Sequence, residues 1–120
     1  MRFMMMYKPD DKNAEAGVPP SQEHLAEMGR LIEEGMKSGV LLATEGLQPS
    51  SRGARVRLSA GRVTVTDGPF TEAKEVVAGY AIVQVKSKEE AIELAKGFLE
   101  AAGDGESEIR QLHEATDSSS

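Results

Sequence analysis

Asp67, Glu72, Lys74 and Glu75 fall within the short stretch Thr66-Asp67-Gly68-Pro69-Phe70-Thr71-Glu72-Ala73-Lys74-Glu75, near the middle of the chain. An aspartate close to a lysine can be poised to exchange a proton, and the ammonium can hold a substrate carboxylate. Asp67 closes a strand-like segment, a position from which side chains reach into clefts, and Gly68-Pro69 makes the turn that follows rigid. The bland account is equally physical. Asp-Gly-Pro is ordinary turn chemistry, in which the carboxylate accepts a hydrogen bond from its own backbone. Residue types and spacing leave both accounts open.

His113 is the next candidate. It stands in a terminal strand-like segment, and a neighbouring carboxylate would make it a general acid or base near neutral pH. The alternative is a half-exposed edge histidine. His24, the other histidine, falls in the first turn of a helix and reads as surface. The two histidines form no His-x-x-His pair, and with no cysteine in the chain no metal-ligand spacing, disulfide or thiol nucleophile exists. Arg55 and Arg57 alternate with apolar residues, with Arg62 across a turn from them. No aromatic side chains are interleaved for base stacking, so a solvated or partner-facing hairpin face is the better account than nucleic-acid binding. No phosphate-cradling glycine loop or nucleophile elbow is present.

The elements that position these residues follow from periodicity. Residues 2–7 form an apolar run without alternation, the pattern of a strand covered on both faces. Residues 8–20 read as a loop. Ser21 is an N-cap, and Leu25, Met28, Ile32 and Met36 place one apolar stripe on a helix that Gly39 ends. Val40-Leu41-Leu42-Ala43-Thr44 starts a second strand. Val56 and Leu58, then Val63 and Val65, alternate with polar residues around Ala60-Gly61, a β-hairpin with one packed face and one wet face. Residues 76–85 are the strongest strand. Ser87 with Glu90 caps a second helix, whose buried face holds Ala91, Leu94, Ala95 and Phe98. Residues 108–113 form a last, more polar strand, and 115–120 a polar tail expected to be disordered.

Without the hairpin this order is βαββαβ, the ferredoxin-like arrangement, α+β, with two helices on one face of an antiparallel sheet. The expectation is one domain over residues 1–114. The strands apolar on both faces leave a second face to cover, and no spare element exists to do it. A symmetric homodimer, sheet against sheet, is the simplest solution; a monomer with a small-molecule groove on the bare face is the other. The formal net charge of −6 opposes non-specific binding to nucleic acid or anionic membrane. No apolar stretch approaches the ~20 residues of a membrane span, and a cytoplasmic location is the default expectation.

Asp67-Gly68-Pro69-Phe70-Thr71-Glu72-Ala73-Lys74-Glu75 resembles the DGPF-(A/T)E-x-KE signature of the YCII-related, or DGPF-domain, family. Glu45-Gly46-Leu47-Gln48-Pro49 is similar to its GEGLxP segment, Ala78-Gly79-Tyr80 to its GGY/GF strand start, and Glu108-Ile109-Arg110-Gln111 to its last strand. The resemblance implies a ferredoxin-like fold that dimerises as an α/β barrel. It also implies an acid–base histidine–aspartate pair, of which Asp67 matches the signature and His113 is the strand histidine at hand. The expected function is that of a cofactor-free enzyme acting on a small anionic organic molecule. Asp67 and His113 are its catalytic candidates, with Glu45, Lys74, Tyr80 and Arg110 around the ligand. The alternative is a non-enzymatic ligand- or partner-binding module serving sigma-factor regulation.

Overall fold

The computed structural model describes residues 1–10, 12–70 and 76–115. Strand β1 (Arg2–Pro9) leads into a one-turn helix α1 (Lys12–Glu15) and then the long helix α2 (Gln22–Ser38). Strand β2 (Leu41–Gly46) is followed by a 3-10 turn at Ser50–Arg52. The hairpin of β3 (Ala54–Ser59) and β4 (Arg62–Asp67) comes next, then β5 (Gly79–Gln84), α3 (Lys88–Ala102) and β6 (Gly105–Gln111). The four-stranded sheet is antiparallel in the order β2-β5-β1-β6, with β3 and β4 forming a separate two-stranded sheet. This is the ferredoxin-like α+β arrangement with an inserted hairpin. Within one chain the sheet stays open rather than closing into a barrel.

The strand alternation separates two sheet faces. Phe3, Met5, Ala81, Val83 and Val85 point to the helices and, with Leu41, Ala91 and Ala95, form the buried core. Met4, Met6, Tyr80 and Ile82 lie half-buried on the opposite face, where no helix covers them. The alanines of α3 let that helix sit directly on the sheet; Ala91 is 0% exposed. Helix α2 sits less deeply and has no fully buried residue. Its ends follow from local chemistry: the Ser21 hydroxyl accepts from the His24 N–H at 3.2 Å, and Gly39 closes it at φ 81°.

Several sequence expectations shift. The loop expected over 8–20 contains α1, a single turn too short to show a helical period. The last strand begins at Gly105 and stops at Gln111, which places His113 beyond it. The tail beyond residue 115 lies outside the described residues. The largest departure is the hairpin: every residue of β3 and β4 is exposed, so neither face is packed within the chain. Its two-residue turn, Ala60-Gly61, has both φ values positive, at 51° and 79°, the combination that matches the right-handed twist of paired strands. Among the described residues no helix is long and apolar enough to cross a membrane.

Candidate functional site

The central motif acts first on its own backbone. Ser50, only 7% exposed, is the hub. Its N–H donates to Glu15 Oε1 at 2.7 Å, and its hydroxyl donates to the other oxygen of the same carboxylate. The Ser50 oxygen accepts from the Phe70 N–H at 3.0 Å. Gly68 donates to the Gly53 carbonyl at 3.0 Å, and the peptide joining it to Pro69 is cis. A Cβ on residue 68 would stand 1.7 Å from the Ser50 carbonyl oxygen, so only glycine fits between the 3-10 turn and the end of β4. The Arg55 guanidinium stacks on the Phe70 ring, 3.8 Å from its centre. The stretch therefore latches the base of the hairpin to α1 and to the turn after β2.

Asp67 lies on the outer side of this latch. It ends β4 opposite Ala54 and is exposed. Lys74, with Glu72 and Glu75, falls outside the described residues. Glu45 and Tyr80 are direct cross-strand neighbours on β2 and β5. Arg110 stands opposite Met4 on β6, one strand beyond β1, so β1 separates it from Tyr80 by about 10 Å of sheet. Its guanidinium donates to Glu108 at 3.4 Å. His113 follows the Leu112 N–H, which donates to the Arg2 carbonyl at the start of β1. The hairpin leaves from the far end of that strand, about 20 Å away at the rise of a β-strand. A single chain thus brings Glu45 and Tyr80 together, and keeps Asp67 at the opposite end of the sheet from Arg110 and His113.

The concave surface lies elsewhere. The amino-terminal half of α2 stands away from the sheet and leaves a groove of about 1110 Å³ beside the end of α3. Met5, Thr44 and Ala81 form its floor, and Met28, Ile32 and Phe98 its walls. Its polar groups are Tyr7, Asp10, His24, Glu45, Asp104 and Ser107, with Tyr80 at the rim; among the described residues neither lysine nor arginine lines it. The Tyr7 hydroxyl donates to the carbonyls of Gly103 and Asp104, at 3.2 and 3.3 Å. The His24 ring sits beside Gly103, its Cε1 at 3.9 Å from where a Cβ on that residue would stand. Tyr7 and His24 therefore meet at the point where β1, α2 and α3 converge. An imidazole at the end of a mostly apolar groove is a candidate general acid or base, with a phenol beside it.

Sequence reasoning passed over both residues. His24 reads as surface because its helical turn is polar, and its proximity to Gly103 depends on a contact between the two helices. Tyr7 closes an apolar strand and reads as core. The available signal was the apolar stripe of α2, which continues to Leu25 next to His24 and needs a covering surface.

Comparison with known proteins identifies the family. The family model described as YCII-related domain matches residues 1–115. An uncharacterized protein of Rhizobium meliloti (strain 1021) is 35% identical over 78 residues, which cover 64% of this chain and 63% of the relative's length. Among solved structures, a 5-chloro-2-hydroxyhydroquinone dehydrochlorinase from Burkholderia phenoliruptrix AC1100, in complex with 2,5-dihydroxybenzoquinone, is similar over 97% of each chain. The identity is 14% and the TM-score 0.49. With its model matched over nearly the whole chain, the protein belongs to the YCII-related domain family.

Proposed function

We propose, with that membership as the premise, that the protein is a homodimer whose subunits each bind a small, largely apolar organic molecule in the groove between α2 and the sheet. His24 exchanges a proton with the ligand without help from a cofactor. The groove carries this reading: about 1110 Å³, mainly apolar, with an imidazole and a phenol at one end. Thr44 lines the same space and orients the ligand's polar end, while Glu45 and Tyr80 pair on the opposite sheet face and border the groove through their backbone. The expectation of an anionic ligand changes here. Asp10, Glu45 and Asp104 surround the groove and among the described residues no lysine or arginine lines it, so an uncharged or weakly acidic hydroxyl or carbonyl compound fits better. In this reading Asp67 serves the turn rather than the chemistry. The half-buried Met4, Met6 and Ile82 on the uncovered sheet face support the homodimer.

Titration of isotopically labelled protein with neutral phenols and cyclic ketones, followed by amide chemical shifts, tests the assignment. The expected shifts fall on Tyr7, His24, Thr44 and Ala81. Shifts confined to Met4, Met6 and Ile82 would move the site to the open sheet face and sink the reading. A purely binding module, the alternative, would show the same shifts with His24→Gln leaving the bound ligand's turnover at the background rate of the intact protein.

A further inference from the structure

The chain carries two large apolar surfaces that do not meet each other. One is the hairpin stripe. Val56 pairs across from Val65 and Leu58 from Val63, so all four point the same way, and they are 64–71% exposed. The other is the mouth of the groove, where Val18, Leu25 and Leu47 are 49–54% exposed. Their charges are opposite. Residues 52–67 hold four arginines and one aspartate, whereas the rest of the chain has ten basic and nineteen acidic residues. Asp10, Glu45 and Asp104 ring the groove itself. The shape of the molecule also requires a partner. The radius of gyration is 16.1 Å in a slab of 46 × 44 × 19 Å, against about 13.6 Å for a compact chain of this length. A lone two-stranded hairpin is at best marginally stable in water.

We propose that the hairpin is an arm that docks, apolar stripe down, across the mouth of the groove of a second copy of this chain. Two copies exchange arms by two-fold symmetry, so each contact occurs twice. Val56, Leu58, Val63 and Val65 cover Val18, Leu25 and Leu47, while Arg57 and Arg62 stay on the outer face of the docked arm, where their charge still favours approach to an acidic surface. Each groove is then incomplete without its partner, whose arm roofs it. This rests on the homodimer proposed above and not on the proton chemistry assigned to His24.

The absence of native cysteines makes the test direct. Leu58→Cys and Leu25→Cys chains are made separately, mixed, and exposed to mild oxidation at micromolar concentration. The expected result is a disulfide-linked species in the mixture and little in either variant alone. Leu58→Asp changes a residue exposed within the single chain and leaves that chain folded by circular dichroism. It should raise the dimer dissociation constant at least about tenfold, read by sedimentation. A wild-type dimer with no 58–25 link overturns the arm exchange while leaving the homodimer intact. A cross-link in Leu58→Cys alone overturns it in favour of hairpin-to-hairpin packing. Wild-type sedimentation at 12.9 kDa, without a link, overturns both the exchange and the homodimer.

Discussion

Single residues in this protein divide between latch and groove, and the two kinds respond differently to change. Gly68→Ala drives a methyl into the Ser50 carbonyl, a backbone atom that cannot rotate away. It should cost at least about 2 kcal/mol, measured by urea unfolding. Ser50→Ala removes the hydroxyl shared by the half-buried Glu15 carboxylate and the Phe70 N–H, at about 1–3 kcal/mol. Neither change touches the groove lining, so both should lower stability with ligand affinity retained. His24→Gln should do the reverse: abolish proton transfer to a bound ligand, with the unfolding midpoint within about 0.5 kcal/mol of the parent. Surface carboxylates held by cations contribute to the acid limit, Glu27 beside Arg30 among them. Hydrogen bonding from Lys8, then from Arg110, holds Glu108 below the usual carboxylate range, and Arg2 does the same to Glu114. A lowered folded-state pKa adds stability above the unfolded value and loses it as pH falls through the folded one. Urea midpoints should therefore hold to about pH 5 and decline below about pH 4.5, with a smaller decline in Glu114→Gln.

At the level of elements, β1 is the informative case. Its two faces have different duties, although Phe3, Met4, Met5 and Met6 look alike in sequence. Met5 is 4% exposed in the helix-side core, and Met5→Ala should cost about 2–5 kcal/mol in the isolated chain. Met4 faces the uncovered side, and Met4→Ser should cost less than half of that while weakening dimerisation, read by sedimentation. The apolar run signalled the strand, but of its two faces only the helix side is buried within the chain, and Met4 and Met6 on the other stay half-buried. The caps at Ser21 and Ser87 were legible for the same local reason: a hydroxyl one turn before an N–H. Ser87→Ala should lose about 1 kcal/mol. The hairpin pairing was legible too, since period-two alternation around Ala60-Gly61 sets the register. What covers its apolar face was not, because alternation states only that one side seeks cover.

Over the whole molecule, the ferredoxin-like order β2-β5-β1-β6 followed from counting elements, since few topologies join two helices and four strands this way. The candidate site was only partly legible. Asp67 drew notice as part of a conspicuous motif, and one contact in that motif, Gly68 against Ser50, is displayed by no local pattern. The groove depends on how far α2 stands from the sheet, and periodicity reports the direction of a helix face rather than its depth. Glu45 and Tyr80 were found because they flank the motif's neighbouring segments and happen to line the same space. Tyr7 and His24 needed three elements to converge before either had a role.

The latch has one more consequence. Glu15 grips Ser50 and with it the hairpin's base, while Asn13 and Ala14, in the same helical turn, line the groove. What settles that turn also aims the arm. In the proposed dimer, thermodynamic reciprocity would make subunit association and ligand capture mutually reinforcing: whatever factor the ligand adds to association, association returns to the ligand. Apparent affinity should accordingly strengthen as protein concentration rises, and Glu15→Gln, which loosens the grip, should flatten that dependence.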